Sequence, residues 1–345
     1  MKPFLLIFFI PFLAYSQVPQ YYSGIDFTQT STEIESDIAQ LIISTHSHEL
    51  FYTPEVWDAL KLADLDPENS ENVLLIYGFD DNGSPDEHRT RDKDDSCHTS
   101  SCNGLWVREH VYPKSLGTPD FETEGPGSDA HAIRAVDSQR NGIRSNRKFT
   151  DGEGDSHIDN QGFFFPGDEW KGDVARMMMY MHLRYGTRCQ ANGVAISSHN
   201  YNEEMPDIFL EWNVEDPVSA YELVRNEVLN DMQGNRNPFI DNPYLATMIW
   251  GGEDAVNTWP NMHVQDAAFA STNVYPNPTK DLINVASNKL ISEIEIFSTV
   301  GMKLKSKPVQ TNSVSLNLNE LGEGIYFLLI RYSDNSMETK RIILN

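Results

Sequence analysis

The sequence predicts an α+β protein, with a ββα unit inside a larger N-terminal part and a small all-β sandwich at the C-terminus. Three observations predict it. Near the N-terminus apolar residues recur at helical spacing, as Ile34, Ile38, Leu41 and Ile42 and again as Val56, Leu60 and Leu62. Between residues 105 and 149 two short apolar runs precede a segment that carries a helix cap. Beyond Trp259 the texture changes to short alternating runs separated by turn residues. A chain of 345 residues exceeds one typical domain, so two or more units are expected, with an ample core in the larger.

The first 16 residues, "MKPFLLIFFIPFLAYS", join Lys2 to an apolar run from Phe4 to Leu13 and then to Ala14, Tyr15 and Ser16. This pattern is a secretory signal peptide; the run is too short for a membrane anchor, and Pro11 interrupts it. No other stretch is long and apolar enough to span a bilayer, so a soluble exported protein without stable membrane insertion is expected. Residues 17–261 then form the main domain, residues 262–273, which lack periodicity, form a linker, and residues 274–345 form the β-domain.

Within the main domain, residues 32–62 give two packing helices. "NVLLIYGF", 72–79, is a strand, and the acidic "DDNGSPDEHRTRDKDDS" after it is a surface loop whose spacing matches no calcium loop. "GDVARMMMYMHLRY", 172–185, is a helix closed by Gly186, with Met177, Met178 and Met181 in the core. Asp216 and Pro217 open another helix that ends near Gly234, and 233–250 is a Pro- and Asn-rich segment with buried aromatics. In the β-domain six strands are expected, at 282–287, 292–298, 302–306, 313–318, 325–332 and 338–344, with turns at Gly301, Gly322 and Gly324.

Three cysteines cannot all pair within one chain. Cys97 and Cys102 are near enough to close a small disulfide loop, which leaves Cys189 over; zinc binding is the rival reading, but no second ligand pair has the right spacing. The net charge of -25 argues against a polyanionic partner until its distribution is considered. Residues 17–95 hold 18 acids against 4 basic residues, whereas residues 131–149 hold Arg134, Arg140, Arg144, Arg147 and Lys148 against Asp137 alone. That local excess is where a phosphate is expected to sit.

Residues 105–149 carry the chemistry. "LWVREHVY" and "DAHAIRAV" (129–136) are strands, and "DSQRNGIRSNRKF" (137–149) is a helix capped by Asp137 or Ser138. Asn141 and Arg144, three apart, share one helix face. Phosphodiester hydrolysis needs a base for water, a cation against the charge on the phosphate, and a positive donor to hold it. His110 suits the base because imidazole titrates near neutral pH. Glu109 and Asn141 offer hard oxygens that suit Mg2+, and Arg144 is suited to fork onto a phosphate. Neighbours on a strand face opposite ways, so Glu109 and His110 share a phosphate only if the strand ends or bulges there; Pro113 is consistent with an end.

These residues are similar to a known family. "REHVYPKS" (108–115), Asp129 with His131, "NGIRSN" (141–146), "KGDVARMMMYM" (171–181) and "QGNRNPFIDNP" (233–243) resemble, in that order, the secreted bacterial endonuclease I family. The resemblance implies a ββα-metal (His-Me finger) site in a mixed, mainly helical domain that cuts DNA, and often RNA, with little sequence preference. It makes His110 the general base and makes Glu109 and Asn141 the holders of a divalent ion. Members commonly read His-Asn-Leu where this chain has His131, Ala132 and Ile133, so a supporting hydrogen bond is missing or replaced. The arginine that some members use on the cleaved phosphate has no firm match; Arg144 and Lys114 are candidates, with Arg134 and Arg147 as further phosphate-binding residues. His131 is either a support of the site or a strand histidine, and Asp173 with Arg176 is a structural pair. The remaining histidines, His182 among them, show no ligand spacing.

The C-terminal unit, with "VYPNP", "GIYFLLI" (324–330) and "KRIILN", resembles the sorting domain of type IX secretion cargo. This implies the type IX secretion machinery as a partner, and passage across the outer membrane of a Bacteroidota-like bacterium. A carbohydrate-binding or adhesive sandwich is the other reading of that unit. Three functions therefore stand: a secreted magnesium-dependent nuclease, a noncatalytic surface adhesin, and a metal phosphodiesterase acting on another extracellular ester. Base-specific recognition is not suggested, because phosphate contacts carry little sequence information.

Overall fold

Thr30 starts the first helix, α1 (Ser31–Thr45): its hydroxyl accepts from the Glu33 amide at 3.4 Å, and the Glu33 carboxylate accepts from the Thr30 amide at 3.0 Å. In this computed structural model α1 buries Ile34, Ile38 and Ile42, four residues apart, each contributing about 1.5–3 kcal/mol of apolar burial. The structure describes residues 18–99, 101–259, 272–298, 303–333 and 337–345. The expected signal segment (1–16) and most of the expected linker (262–273) lie outside them. The chain divides into two units, at Met262 and His263.

In the first unit α1 is followed by α2 (Glu55–Ala63), β1 (Asn72–Leu74), β2 (Thr90–Asp92), β3 (Trp106–His110), β4 (Ile133–Asp137) and α3 (Ser138–Arg144). Then come β5 (His157–Ile158), β6 (Phe164–Phe165), α4 (Lys171–Tyr185), α5 (Asp207–Glu215), α6 (Ala220–Gln233), α7 (Pro238–Asp241) and α8 (Tyr244–Trp250). The unit is α+β, as expected. Helix α4 is its axis: every residue from Gly172 to Leu183 is buried, and α1, α5 and α7 pack around it. The methionines of α4 are core, as the sequence suggests. A second core joins α2, β1, β3, β4 and α6 through Trp57, Leu60, Val73, Trp106, Ile133 and Leu229.

Strands β3 and β4 pair antiparallel without a register shift, from Trp106 opposite Asp137 to His110 opposite Ile133, and α3 follows β4 directly. Asp137 is the cap, its Oδ1 accepting from the amides of Gln139 (2.7 Å) and Arg140 (3.1 Å). Several elements are shorter than the sequence predicts, each for a local reason. The strand expected at 72–79 ends at Leu74, because the Ile76 amide turns to the Ala135 carbonyl and Tyr77 takes a φ of 71°. The strand expected at 129–136 begins only at Ile133, because the Asp129 carboxylate accepts from the His131 amide and closes a tight turn. The helix expected to run to 149 stops at Arg144, where Ser145 takes a φ of 54°. The helix expected from Asp216 starts at Ala220, because Ser219 and Glu222 form a capping box there. Helix α5 was not expected; its apolar residues Ile208, Phe209, Leu210 and Trp212 cluster instead of recurring at helical spacing.

The second unit is all β: β7 (Asn273–Tyr275), β8 (Leu282–Ser298), β9 (Lys303–Asn317), β10 (Gly324–Tyr332) and β11 (Met337–Leu344). The named strands all pair antiparallel, and β8 binds β7, β9 and β10, with β11 beyond β10. The expected pairs of short strands at 282–287 and 292–298, and at 302–306 and 313–318, are single long strands whose register shifts near Ala286 and Ile291. Bulges of this kind bend a strand without ending it, so among the described residues the sandwich of six short strands is one connected, bent sheet. Its buried side is read off β10, where Leu328, Ile330 and Tyr332 alternate inward.

Candidate active site

Strand β3 ends at His110, and its alternation separates the two residues that open the site. Glu109 is buried, at 3 % exposure, while His110 is half-buried with Arg108 on the other side of the strand. No bulge turns them together, but the ladder ends at the pair His110–Ile133, so the strand end expected for a shared site is present.

His110 Nε2 lies 3.0 Å from the Gly127 carbonyl oxygen. A carbonyl only accepts, so Nε2 carries the ring proton and Nδ1 is left with a lone pair. Desolvation pushes the pKa of His110 down to about 4; the Gly127 carbonyl opposes this, and Lys114 and Arg108 add to it. The ring is therefore neutral at pH 7. Tyr52 stacks on it, with centroids 5.7 Å apart, and the Arg108 guanidinium lies 3.4 Å from the centre of the same tyrosine ring.

The carbonyl that orients His110 is itself held from the core. Asp129 accepts from Tyr180 Oη (2.8 Å), Tyr185 Oη (2.9 Å) and Gln233 Nε2 (3.0 Å), and the Ala130 amide donates to Gln233 Oε1 at 2.8 Å. His131, fully enclosed, donates from Nε2 to the Asn235 carbonyl at 3.1 Å and packs on Tyr180. Of the two readings of His131, the structure favours support of the 127–131 segment.

Glu109 Oε1 accepts from Tyr77 Oη at 3.1 Å and lies 3.3 Å from Arg144 Nε. Burial raises the Glu109 pKa to about 7, with Arg144 and Tyr77 pulling the other way. Both contacts fall on Oε1, so Oε2 has no partner among the described residues. Asn141 lies one helical turn before Arg144 on α3, half-buried, and its side-chain amide makes no hydrogen bond among the described residues. A buried carboxylate with one oxygen free, and a free amide on the adjoining helix, fit a hard cation.

The basic patch read from residues 131–149 is largely interior, because acids distant in sequence neutralise it. Arg134 is fully buried: NH1 donates to Asp173 at 2.8 Å, and Nε lies 3.2 Å from Asp64. Arg140 pairs with Asp86 at 3.3 Å. Arg144 is fully buried, donating to the Val111 carbonyl at 2.8 Å and the Ser145 carbonyl at 2.9 Å. Arg134 and Arg144, expected to bind phosphate and to act in catalysis, are thus fully buried with their guanidinium groups turned to protein partners. Arg147 is half-buried and donates to the Ile143 carbonyl at 2.6 Å. Lys114 is half-buried, 5.5 Å from the centre of Tyr52, and has no acidic partner among the described residues. The structural pair Asp173 and Arg176 is 3.9 Å apart, but Arg176 bonds more closely to Glu222, at 2.7 Å.

Cys97 and Cys102 form a disulfide, and Cys189 is free and buried. The disulfide loop backs α3, since Ser138 Oγ donates to the Cys102 carbonyl at 2.5 Å. Away from this site, Glu35, His182 and Glu204 come together in a cleft of about 420 Å³. There the Ala191 amide donates to His182 Nδ1 at 3.4 Å, so the proton of the neutral ring stays on Nε2, 3.8 Å from Glu204. That tautomer suits an imidazole–carboxylate pair better than a cation. Sequence reasoning missed Tyr77, Tyr52 and Gly127; the signal for Tyr77 was a single polar tip in an otherwise apolar run, and the other two had none.

The chain is a nuclease, a hydrolase of nucleic acid. It belongs to the Endonuclease I family, which matches residues 30–244, and it carries a secretion system C-terminal sorting domain over residues 273–345. It is 36% identical over 253 residues to an extracellular ribonuclease of Bacillus subtilis (strain 168), covering 70% of this chain and 81% of that protein. An extracellular ribonuclease of Bacillus amyloliquefaciens is 39% identical over 222 residues, covering 61% of this chain and 71% of that one. A periplasmic deoxyribonuclease of Aeromonas hydrophila is 27% identical over 123 residues, 33% of this chain and 47% of its own length. The sorting domain, of the type IX kind, makes this a secreted or cell-surface protein and replaces the adhesin reading of the C-terminal unit. No helix among the described residues is long and apolar enough to cross a membrane.

Proposed function

We propose that the chain is a divalent-metal-dependent endonuclease that hydrolyses phosphodiester bonds of DNA and RNA without reading base sequence. The observation that carries this reading is the His110 ring, neutral, with Nε2 tied to the Gly127 carbonyl and Nδ1 free. Strands β3 and β4 with α3 form its ββα-metal motif. Glu109, through its free oxygen, and Asn141, through its amide oxygen, hold the ion, Mg2+ by the hardness of these donors. When bound, the ion supplies charge neutralisation on the phosphate and leaving oxygen. His110 Nδ1 takes the proton of the attacking water. Buried Arg144 fixes Glu109 and the strand end at Val111, so it positions the site without touching substrate. Lys114, beside the histidine, binds a phosphate oxygen, with Arg147 as a second contact.

Relatives named ribonuclease and deoxyribonuclease both support a substrate range that spans RNA and DNA. The organisation that follows is a signal peptide at 1–16, a catalytic domain at 17–261, a linker at 262–273 and a sorting domain at 274–345 that engages the type IX secretion machinery. Digestion of plasmid DNA and of RNA, with and without EDTA, tests the whole reading. EDTA is expected to stop both, and His110→Ala to lower cleavage by about 10²–10⁴-fold with the fold intact by circular dichroism. Cleavage that persists in EDTA overturns the metal, and a fully active His110→Ala protein overturns the base.

A further inference from the structure

Phe51 is the most exposed large apolar side chain among the described residues, at 68 %, and it is held there by bonds to its backbone. The Glu55 carboxylate accepts from the Phe51 amide at 2.8 Å, the Val56 amide donates to the Phe51 carbonyl at 3.2 Å, and Arg108 donates to the carbonyl of the next residue, Tyr52. A ring kept in water by a pinned main chain is available to a ligand at little ordering cost.

Beside this ring is a cavity of about 520 Å³, walled by Leu50, Phe51, Tyr52, Thr123, Glu124 and Ser128. It adjoins the site on two sides. Tyr52 stacks on His110, and Ser128 follows Gly127, whose carbonyl orients that histidine. A strand whose phosphate lies at His110 therefore brings an adjoining nucleotide to this cavity.

Charge decides which part of the nucleotide enters. Lys114 and Arg108 both lie over the Tyr52 ring on which His110 stacks, whereas Glu124 and Glu49 border the cavity. The carboxylates repel phosphate and accept from the exocyclic amines of bases. The backbone follows the cations, and the base turns toward the aromatic wall. We propose that Phe51 and this cavity form a subsite for one unpaired nucleobase of the strand being cut, an inference that rests on His110 being the catalytic base. A base within a duplex keeps both faces stacked, so the subsite favours single-stranded DNA and RNA.

The test is fluorescence anisotropy with a short single-stranded DNA and with the same strand in duplex form. Binding is measured to the His110→Ala protein and to the same protein carrying Phe51→Ala or Phe51→Trp. Stacking on an aromatic is worth about 1–3 kcal/mol per base, so Phe51→Ala is expected to weaken single-strand binding by about 5- to 150-fold. The duplex loses less, and Phe51→Trp retains affinity. A strand with abasic positions binds weakly to the parent and loses nothing more on Phe51→Ala. Equal Kd values for intact single strands with and without Phe51→Ala overturn the subsite, as does an equal loss for intact and abasic strands. Binding is read in EDTA, which stops turnover whether or not His110 is the base, so a failure of His110 as base shows in the digestion assay and not in these Kd values. Because Phe51 is exposed, thermal melting is expected to be the same in all three proteins.

Discussion

At the scale of the residue, a neutral imidazole serves as a base only when one nitrogen has its proton fixed elsewhere, and here a single carbonyl does the fixing. Gly127 is the residue through which that geometry is open to test. A Cβ at Gly127 would sit 2.0 Å from the Glu122 carbonyl oxygen, a backbone atom that has no rotamer to give. Gly127→Ala must therefore shift the 125–128 turn and with it the acceptor for His110 Nε2. Misplacement of a catalytic group by about 1 Å costs on the order of 10²-fold, so kcat is expected to fall by about that factor. KM for nucleic acid should change little, because Lys114 and the rest of the surface are untouched. Steady-state kinetics on a plasmid substrate checks this; an unchanged kcat would separate the Gly127 carbonyl from catalysis. None of this was legible in the sequence, since a glycine in "GPGSDAH" gives no sign of which side chain its carbonyl meets.

At the scale of the element, β4 and α3 carry arginines inward, and the partners of those arginines come from far along the chain. Local charge counting assigned Arg134, Arg140 and Arg144 to a surface patch, yet Asp64, Asp86, Glu109 and Asp173 reach them from other elements. The helices α1 and α4, the cap at Asp137 and the core methionines were legible because their signals lie within one turn or one periodic face. The destination of an arginine was not, because it depends on tertiary pairing. Arg134 sits between Asp64, which also receives Tyr221 Oη at 2.8 Å and Arg225, and Asp173, which has few other partners. Removing it leaves the buried Asp173 with only the distant Arg176, at 3.9 Å, among the described residues, and Arg134→Ala is expected to cost about 3–5 kcal/mol in urea unfolding. If the loss is under about 1 kcal/mol, as for an exposed pair, the interior network is not what holds β4 to α4.

At the scale of the whole molecule, the same interior that orients the site makes stability depend on pH. His131 is buried between the 129–131 turn, α4 and the Asn235 carbonyl, and this burial lowers its pKa from 6.5 to about 4, with Asp129 and the Asn235 carbonyl opposing, and Arg225 and His46 adding to the drop. The sign follows from proton counts. Between pH 6.5 and about 4 the unfolded chain holds a proton on His131 that the folded chain does not. The stability that this histidine contributes is complete above pH 6.5 and is lost as pH falls toward 4, at about 1.4 kcal/mol per pH unit for one proton. His131→Gln retains a side-chain donor for the Asn235 carbonyl and removes the titration. Its unfolding free energy is therefore expected to fall less steeply over that window than the parent's, by about one proton's slope, even if its stability at pH 7 is lower. Urea unfolding at a series of pH values measures both slopes. Equal slopes would mean that His131 takes up its proton in the folded state, and that the turn carrying Gly127 is looser than its hydrogen bonds require.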